Sequence, residues 1–581
     1  MQLETMEVNE RVVSPLKNLK ELYNKIDSLV YWPGIFDLCK STDYVYQGND
    51  IDAYIDNPKR LQRNNVPKTI VCHDLKGGYL EDKYIDGSNE YNSYHFYHWN
   101  IVDTFIYFSH YFVTIPPFGW INAAHRHGVK ILGTLITESA QGKEIWDEIF
   151  KSRNSVVKFA DALIKIAQFY KFEGWLLNIE NEINENNITQ LVFFVQYLTE
   201  NIHKKIDNSE IIWYDSVINT GRLSWQNELN EKNECFFNSC DGIFLNYTWT
   251  DSGLIESVIR ANKQNRIKDI YVGLDVWGRG CPGGGGFNSA HALQRIREQG
   301  LSVAIFAPAW TYEYFGPKTF PRVENVFWAQ LMQYLYIHVC TYDNERFITT
   351  FCRGAGKKYY EYGKQITYKD PTTNNVIERN SSFYNMAMQK HQVILTCPHL
   401  KFISMNILPP ARRNDQSKKL ETQKCTYETL HEKIKVLDNE IIFEDKADSF
   451  AGINCTQFTY DISYEGGGCI KLLSKNIRSY HRLFFVHVKF SKDIQARIIY
   501  RYYDEESSES NVQNSPVLLL RNNVGVKSFV PTETVQYGLE WKMSIFQTNV
   551  KFTHEIGVAL TRIGSCYIGK IVLEPTTSRL T

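Results

Sequence analysis

KILGTLITESAQGKEIWDEIFKSRNSVVKFADALIKIAQFYKFEGWLLNIENEI, residues 130–183, reads as strand, helix, strand. KILGTLITE (130–138) and WLLNIENEI (175–183) are nearly unbroken apolar runs, the pattern of parallel strands covered on both faces. Between them apolar residues fall at Val156, Phe159, Ala160, Leu163, Ala167 and Tyr170, the i, i+3, i+4, i+7 rhythm of one helical face. Asn154 and Ser155 stand where a helix cap would.

The alternation continues in both directions. TIVCHDL (69–75) and DTFIYFSHYFVTI (103–115) precede the stretch. IIWYDSV (211–217), GIFLNYTW (242–249), IYVGLDVWG (270–278) and VAIFAPAW (303–310) follow it, with helical patterns over 188–202, 254–262, 288–299 and 323–338. Eight such units in about 270 residues match a (β/α)8 barrel. A doubly wound sheet would want a Gly-rich turn after its first strand, and none is there. Beyond about residue 345, FITTFC, KKYYEYGKQI and FYNMAM look like short β-structure, and PPARRNDQSKKLETQK (409–424) reads as a linker or exposed loop. From 441 onward, turn-punctuated strands such as RLFFVHVKF and RIIYRYY mark a β-sandwich, and DEESSES (504–510) reads as a solvated loop. The expected fold is therefore α/β: an N-terminal extension (1–67), a (β/α)8 TIM barrel (68–345), a β-rich accessory segment with a polar linker (346–440), and a C-terminal β-sandwich-type region (441–581).

Lys and Arg number 64 against 65 Asp and Glu, a net charge of −1, which argues against a nucleic-acid or anionic-membrane partner. Twelve cysteines form no C-x-x-C pair, and Cys235 and Cys240 lack the companions of a zinc site, so neither metal nor cofactor is expected. The first thirty residues hold no apolar signal core, and the run 101–121 is broken by Asp103, His110 and Pro116-Pro117. These features point to a reduced, soluble, intracellular protein, to be placed in the cytosol only with the resemblance given below, in which the N-x-S/T triplets at Asn187, Asn246, Asn380 and Asn454 carry no weight.

Barrel enzymes work at the carboxyl ends of their strands. The residues ending the runs include His73, Asp74, His110, Glu138, Asn178, Glu180, Tyr214, Asp215, Asn246, Tyr247, Trp249, Asp275, Trp277 and Trp310. Carboxylates, carboxamides, Tyr and Trp with little basic charge suit a neutral sugar better than a phosphate. Asn178 and Glu180 are two apart, so they share a face about 7 Å apart along the strand. A carboxylic acid there can protonate a glycosidic oxygen. A carboxamide cannot be a nucleophile, but its oxygen can accept an N–H. The pair makes chemical sense if the sugar carries a 2-acetamido group whose carbonyl attacks its own C1, replacing the second carboxylate of ordinary retaining enzymes.

GWLLNIEN (174–181), WYDSV (213–217), FFNSCDGIFLNYTW (236–249), YVGLDVWGRG (271–280) and AIFAPAWTYE (304–313) closely resemble the cytosolic endo-β-N-acetylglucosaminidases of glycoside hydrolase family 85. VCHDLKGGYLED (71–82) and VTIPPFGWINAAHRHGVKILGTLITE (113–138) are similar to it too. The resemblance implies retaining cleavage between the two GlcNAc residues of the N-glycan chitobiose core, on glycoproteins or free oligosaccharides, through an oxazoline. It implies Glu180 as general acid/base, Asn178 as the group orienting and polarising the acetamide, Tyr214 at the reacting centre, and Trp225 and Trp249 around the sugar subsites. Leu274-Asp275-Val276-Trp277, and Ser139-Ala140 after Glu138, depart from the family pattern in ways that bear on glycan preference.

Other readings stand beside this one. Asp275 could be the nucleophile of a two-carboxylate retaining glycosidase, or, with Trp277, Trp310, Glu138 and His73, a substrate contact. Glu138 and Asp215 are balanced between sugar contacts and structural pairing. His125 and His127 read as structural, CPGGGGF (281–287) as a mobile loop near the substrate, and Trp120 and Trp310 as core or platform. A catalytically silent glycan-binding protein is the alternative from another class.

Overall fold

The structure, a computed structural model, describes residues 11–48, 58–367, 381–394, 401–406, 424–428, 432–437, 440–445, 455–474, 480–503, 515–538 and 540–576. All but the last residue of PPARRNDQSKKLETQK lies outside the described residues, as do DEESSES and Asn380.

Eight parallel strands close a barrel: β1 (Thr69–His73), β2 (Thr104–Tyr107), β3 (Lys130–Glu138), β4 (Gly174–Glu180), β5 (Glu210–Tyr214), β6 (Gly242–Leu245), β7 (Ile270–Asp275) and β8 (Ser302–Phe306). Closure comes from the pairing of β2 with β3, Thr104 opposite Lys130. The helices lie outside, among them Arg153–Tyr170, Ile188–His203, Asp251–Asn262, Ser289–Glu298 and Phe320–Met332. Alternation sorts each strand's side chains. On β4, Leu177 and Ile179 pack outward, while Leu176 joins Ile212, Phe244 and Tyr271 in the barrel's interior. The floor is polar: Glu210 accepts from Lys130 Nζ at 2.7 Å and from Thr104 Oγ1 at 2.8 Å.

The helix Arg153–Tyr170 is capped by Ser152, whose hydroxyl accepts from Ser155 N at 3.1 Å, so Asn154 and Ser155 fall inside the helix. Ser152 is extended (φ −157°) and so can turn its side chain back onto the first free amides. The first crossover has no α-helix, only single 3-10 turns at Glu81–Lys83 and Trp99–Ile101, because its Gly-, Tyr- and Asn-rich chain has no helical period. The helix expected over 323–338 stops at Met332, and Tyr336–Asp343 forms a strand instead.

That strand pairs with Ser41–Gln47 on one side and Tyr480–Lys489 on the other. Together with Arg60–Gln62, Phe552–Ala559, Val517–Asn522 and Gly525–Phe529 they make one seven-stranded sheet. The second sheet runs Cys455–Thr459, Cys469–Ser474, Gly564–Pro575, Ile494–Tyr502, Lys542–Gln547, Glu533–Gln536, with Phe347–Thr349 added to Gly564–Pro575. Ile470, Ile498, Phe546, Leu483, Leu520 and Ile556 bury fully in the core that includes both sheets. These pairings are mostly antiparallel, as the turn-punctuated sequence suggests. Within the first sheet Glu555 is wholly buried and accepts from Arg482 Nε and Arg521 Nε, each at 2.9 Å.

Candidate active site

β3 and β4 pair in register, Ile136 opposite Asn178 and Glu138 opposite Glu180. This brings the even-numbered residues of both strands to the barrel mouth. Asn178 Nδ2 donates to Glu180 Oε2 at 3.2 Å. An ionised carboxylate only accepts, so the amide nitrogen must face it and the amide oxygen is left to face elsewhere. Glu180 is pushed above the ordinary carboxylate range, chiefly by burial and further by Glu138, while hydrogen bonds from Asn178 and Trp225 and the charge of His110 oppose the rise.

Tyr214 ends β5 and donates from its hydroxyl to Asn246 Oδ1 at 2.8 Å. Burial and the charge of Glu180 raise this phenol far above its usual range, so it stays neutral. Asn246 in turn donates to Asn227 Oδ1 at 2.8 Å. Asp215, one residue on, belongs to the loop: Gln226 N (3.0 Å), Asn227 N (2.7 Å) and Asn233 Nδ2 (3.1 Å) all donate to it. Burial raises its carboxyl to about 6 against those donors. The loop it gathers carries Trp225, 42% exposed at the mouth.

Asp275 ends β7 with no exposed surface. It accepts from Arg279 Nε (2.8 Å), Arg279 Nη2 (3.0 Å), Arg279 N (2.8 Å) and Trp277 N (3.3 Å). Trp277 beside it is 40% exposed. The glycine run that follows is tied down: Gly286 N donates to Val276 O, and a Cβ on Gly278 would lie 2.1 Å from Gly284 O. The chain crosses itself there, with Gly278 at φ +74°, and only glycine fits. The glycine-rich segment is a self-bonded turn beside Trp277.

The other candidates divide. Glu138 is partly exposed at the mouth, in ion-pair contact with His110. Trp310 is mostly buried against Phe287 and Phe315. Trp249 is 2% exposed and donates its indole N–H to Gly273 O at 2.8 Å, which ties it into the wall. His73 points outward from β1, since Ile70 and Cys72 take the interior. It lies between Tyr94 and Trp120, and burial lowers its pKa to about 4. His125 donates to Phe36 O and meets Glu173 at 3.1 Å, and His127 donates to Ala123 O. Asn227 and Arg279 organise the mouth without having been singled out in the sequence. Asn227 gives no local signal, whereas Arg279 sits four residues beyond Asp275 inside a quoted motif.

Residues 79–359 match the sequence model of Glycosyl hydrolase family 85. A cytosolic endo-beta-N-acetylglucosaminidase of Mus musculus is 44% identical over 301 residues, 52% of this chain and 40% of that protein. Cytosolic endo-beta-N-acetylglucosaminidase 2 of Arabidopsis thaliana is 40% identical over 332 residues, 57% of this chain and 45% of that protein. The chain thus spans less than half the length of these curated relatives. In fold, the glycoside hydrolase domain of Endo-D from Streptococcus pneumoniae R6 superposes with a TM-score of 0.69 at 15% identity, covering 98% of this chain and 84% of that one. The match to the model of Glycosyl hydrolase family 85 takes in the barrel strands that carry Asn178, Glu180 and Tyr214.

Proposed function

We propose that the chain is an endo-β-N-acetylglucosaminidase, hydrolysing the β-1,4 bond between the two GlcNAc residues of the N-glycan core with retention through an oxazoline. The observation that carries this is the inward-facing Asn178–Glu180 pair, with amide nitrogen to carboxylate at 3.2 Å. With its nitrogen so engaged, Asn178 offers its oxygen to the acetamido N–H, which makes the acetamide carbonyl a better nucleophile. Glu180 gives its proton to the glycosidic oxygen as that carbonyl closes on C1. The same carboxylate then takes a proton from the water that opens the oxazoline, and two inversions leave the anomeric configuration retained. Tyr214 places a neutral hydroxyl at this centre, and Trp225 and Trp277 are exposed rings on which sugars can stack. Asp275 serves poorly as the nucleophile of a two-carboxylate mechanism, because Arg279 and two backbone amides occupy its oxygens.

The substrates proposed are N-glycans, on glycoproteins or free. The relatives are named cytosolic, and we place this chain in the same compartment. Among the described residues, no helix is long and apolar enough to cross a membrane.

Asn178→Ala tests the mechanism. The variant is expected to lose about 10²- to 10³-fold in glycopeptide hydrolysis while still transferring sugar from a preformed oxazoline, the step that follows acetamide attack. Equal hydrolysis by variant and parent would overturn acetamide participation. A covalent sugar trapped on Asp275 would favour the two-carboxylate mechanism.

A further inference from the structure

His110 follows β2 and stands over the mouth between two carboxylates from neighbouring strands. Its Nδ1 lies 3.7 Å from Glu138 Oε1 and its Nε2 lies 3.9 Å from Asp74 Oδ2. Those are ion-pair separations rather than hydrogen bonds. Phe108 packs at right angles to the imidazole, ring centroids 5.4 Å apart and planes at 86°. Glu138 sits directly opposite Glu180 across the β3–β4 pairing. The charges thus run Asp74, His110, Glu138, Glu180 from strand to strand.

We propose that His110 is a positioning residue of the reaction: held between Asp74 and Glu138, it fixes Glu138 and cancels that carboxylate's charge where it faces the acid Glu180. The inference rests on the reading of Glu180 as the general acid.

Three observations support it. Asp74 and then Glu138 raise the His110 imidazole above its ordinary range, against burial, which favours the imidazolium between the two carboxylates. Glu138 pushes the Glu180 carboxyl up and His110 pulls it down, so the two act on the acid in opposite directions. Other charged groups lie near the row. Lys76 and Asp74 both act on Glu313, Arg279 is held by Asp275 while also feeling Asp74, and Tyr214 facing Glu180 stays neutral. Among the described residues, His110 is the cationic side chain in ion-pair contact with Glu138.

The sign of the effect follows. Without the imidazolium, Glu138 stands uncompensated beside Glu180, the acid holds its proton more tightly, and its titration moves to higher pH. All three side chains are partly exposed, which limits the shift to about half a unit.

The test titrates Glu180 by NMR in protein carrying ¹³C at the Glu side-chain carboxyl, with the resonance assigned by its loss in Glu180→Gln. His110→Gln is expected to raise the Glu180 midpoint by about half a unit, and Glu138→Gln to lower it. In the Glu138→Gln background, adding His110→Gln should still raise it, by no more than the imidazolium's own pull on Glu180 accounts for. An unmoved midpoint in folded His110→Gln, or a larger shift with Glu138 already neutral than with it charged, overturns the proposal. Should His110→Gln not fold, an unmoved midpoint in Glu138→Gln overturns it alone. In active protein the alkaline limb of kcat should follow the NMR midpoint, with KM changing less than kcat. The NMR reading needs no turnover. The expected shifts in a protein that cleaves no N-glycan would sink the proposed function and leave the charge arrangement standing, whereas cleavage with no shift would sink the role of His110 alone.

Discussion

Glu180 draws its character from the point at which β4 releases it, far enough out to reach a ligand and far enough in to lose much of its water. Burial and Glu138 outweigh its hydrogen bonds, so its carboxyl titrates above the ordinary range. A group raised in this way keeps its proton to higher pH. The rate of glycan cleavage should therefore be sustained as pH rises past the usual carboxylate value and fall only as pH crosses the raised one. A pH profile of kcat checks this, and a limb at the value of a free glutamate would contradict it. Asn178 and Glu180 were legible because a spacing of two fixes a common face whatever the rest of the chain does. His73 was less so: parity from Ile70 and Cys72 turns it outward, and a list of strand-end residues ignores parity. The resemblance put Trp249 around the sugar subsites, and its N–H bond to Gly273 O depends on a neighbouring strand the local sequence does not reveal.

At the scale of elements, the eight barrel strands were read correctly in number and order, and most of the runs reached past the true strand ends. IIWYDSV continues to Val217, whereas β5 stops at Tyr214. The reason is that Asp215 and its neighbours remain buried as they enter the loop, and burial rather than pairing was what the apolar pattern recorded. Asp215 shows what such a residue does. It gathers Gln226, Asn227 and Asn233 and so sets where Trp225 stands. Asp215→Ala takes the acceptor from the part-buried amides of Gln226 and Asn227 and leaves Asn233 with Glu228 O alone. The expected cost is about 1–3 kcal/mol of stability, with a rise in KM as Trp225 loses its place. Thermal melting and steady-state kinetics check it, and an unchanged KM would show that Trp225 is held by other means. The missing helix of the first crossover was legible only as an absence of period.

At the scale of the whole molecule, the C-terminal strands do not stand alone. Ser41–Gln47 and Tyr336–Asp343, which flank the barrel in sequence, join Tyr480–Lys489 in one sheet. Such pairing between distant segments leaves no local mark, so sequence could give the sandwich but not its membership. The ion triad of Arg482, Glu555 and Arg521 lies in that sheet. Glu555→Gln removes the buried carboxyl group that accepts from two buried guanidinium groups and should cost about 3–5 kcal/mol. Because the sheet is shared, the barrel should melt earlier too, as read by tryptophan fluorescence, to which Trp541 alone contributes from the sandwich. A barrel transition that does not move would contradict mechanical unity. The most direct test of the central claim is to incubate the purified protein with a labelled high-mannose glycopeptide, with Glu180→Gln in parallel, and identify both fragments by mass spectrometry. A peptide retaining a single GlcNAc, formed by the parent and at least about 10²-fold more slowly by the variant, is the expected result. Intact glycopeptide with glycan binding retained, across all N-glycan classes, would contradict it and make the protein a binder rather than a hydrolase.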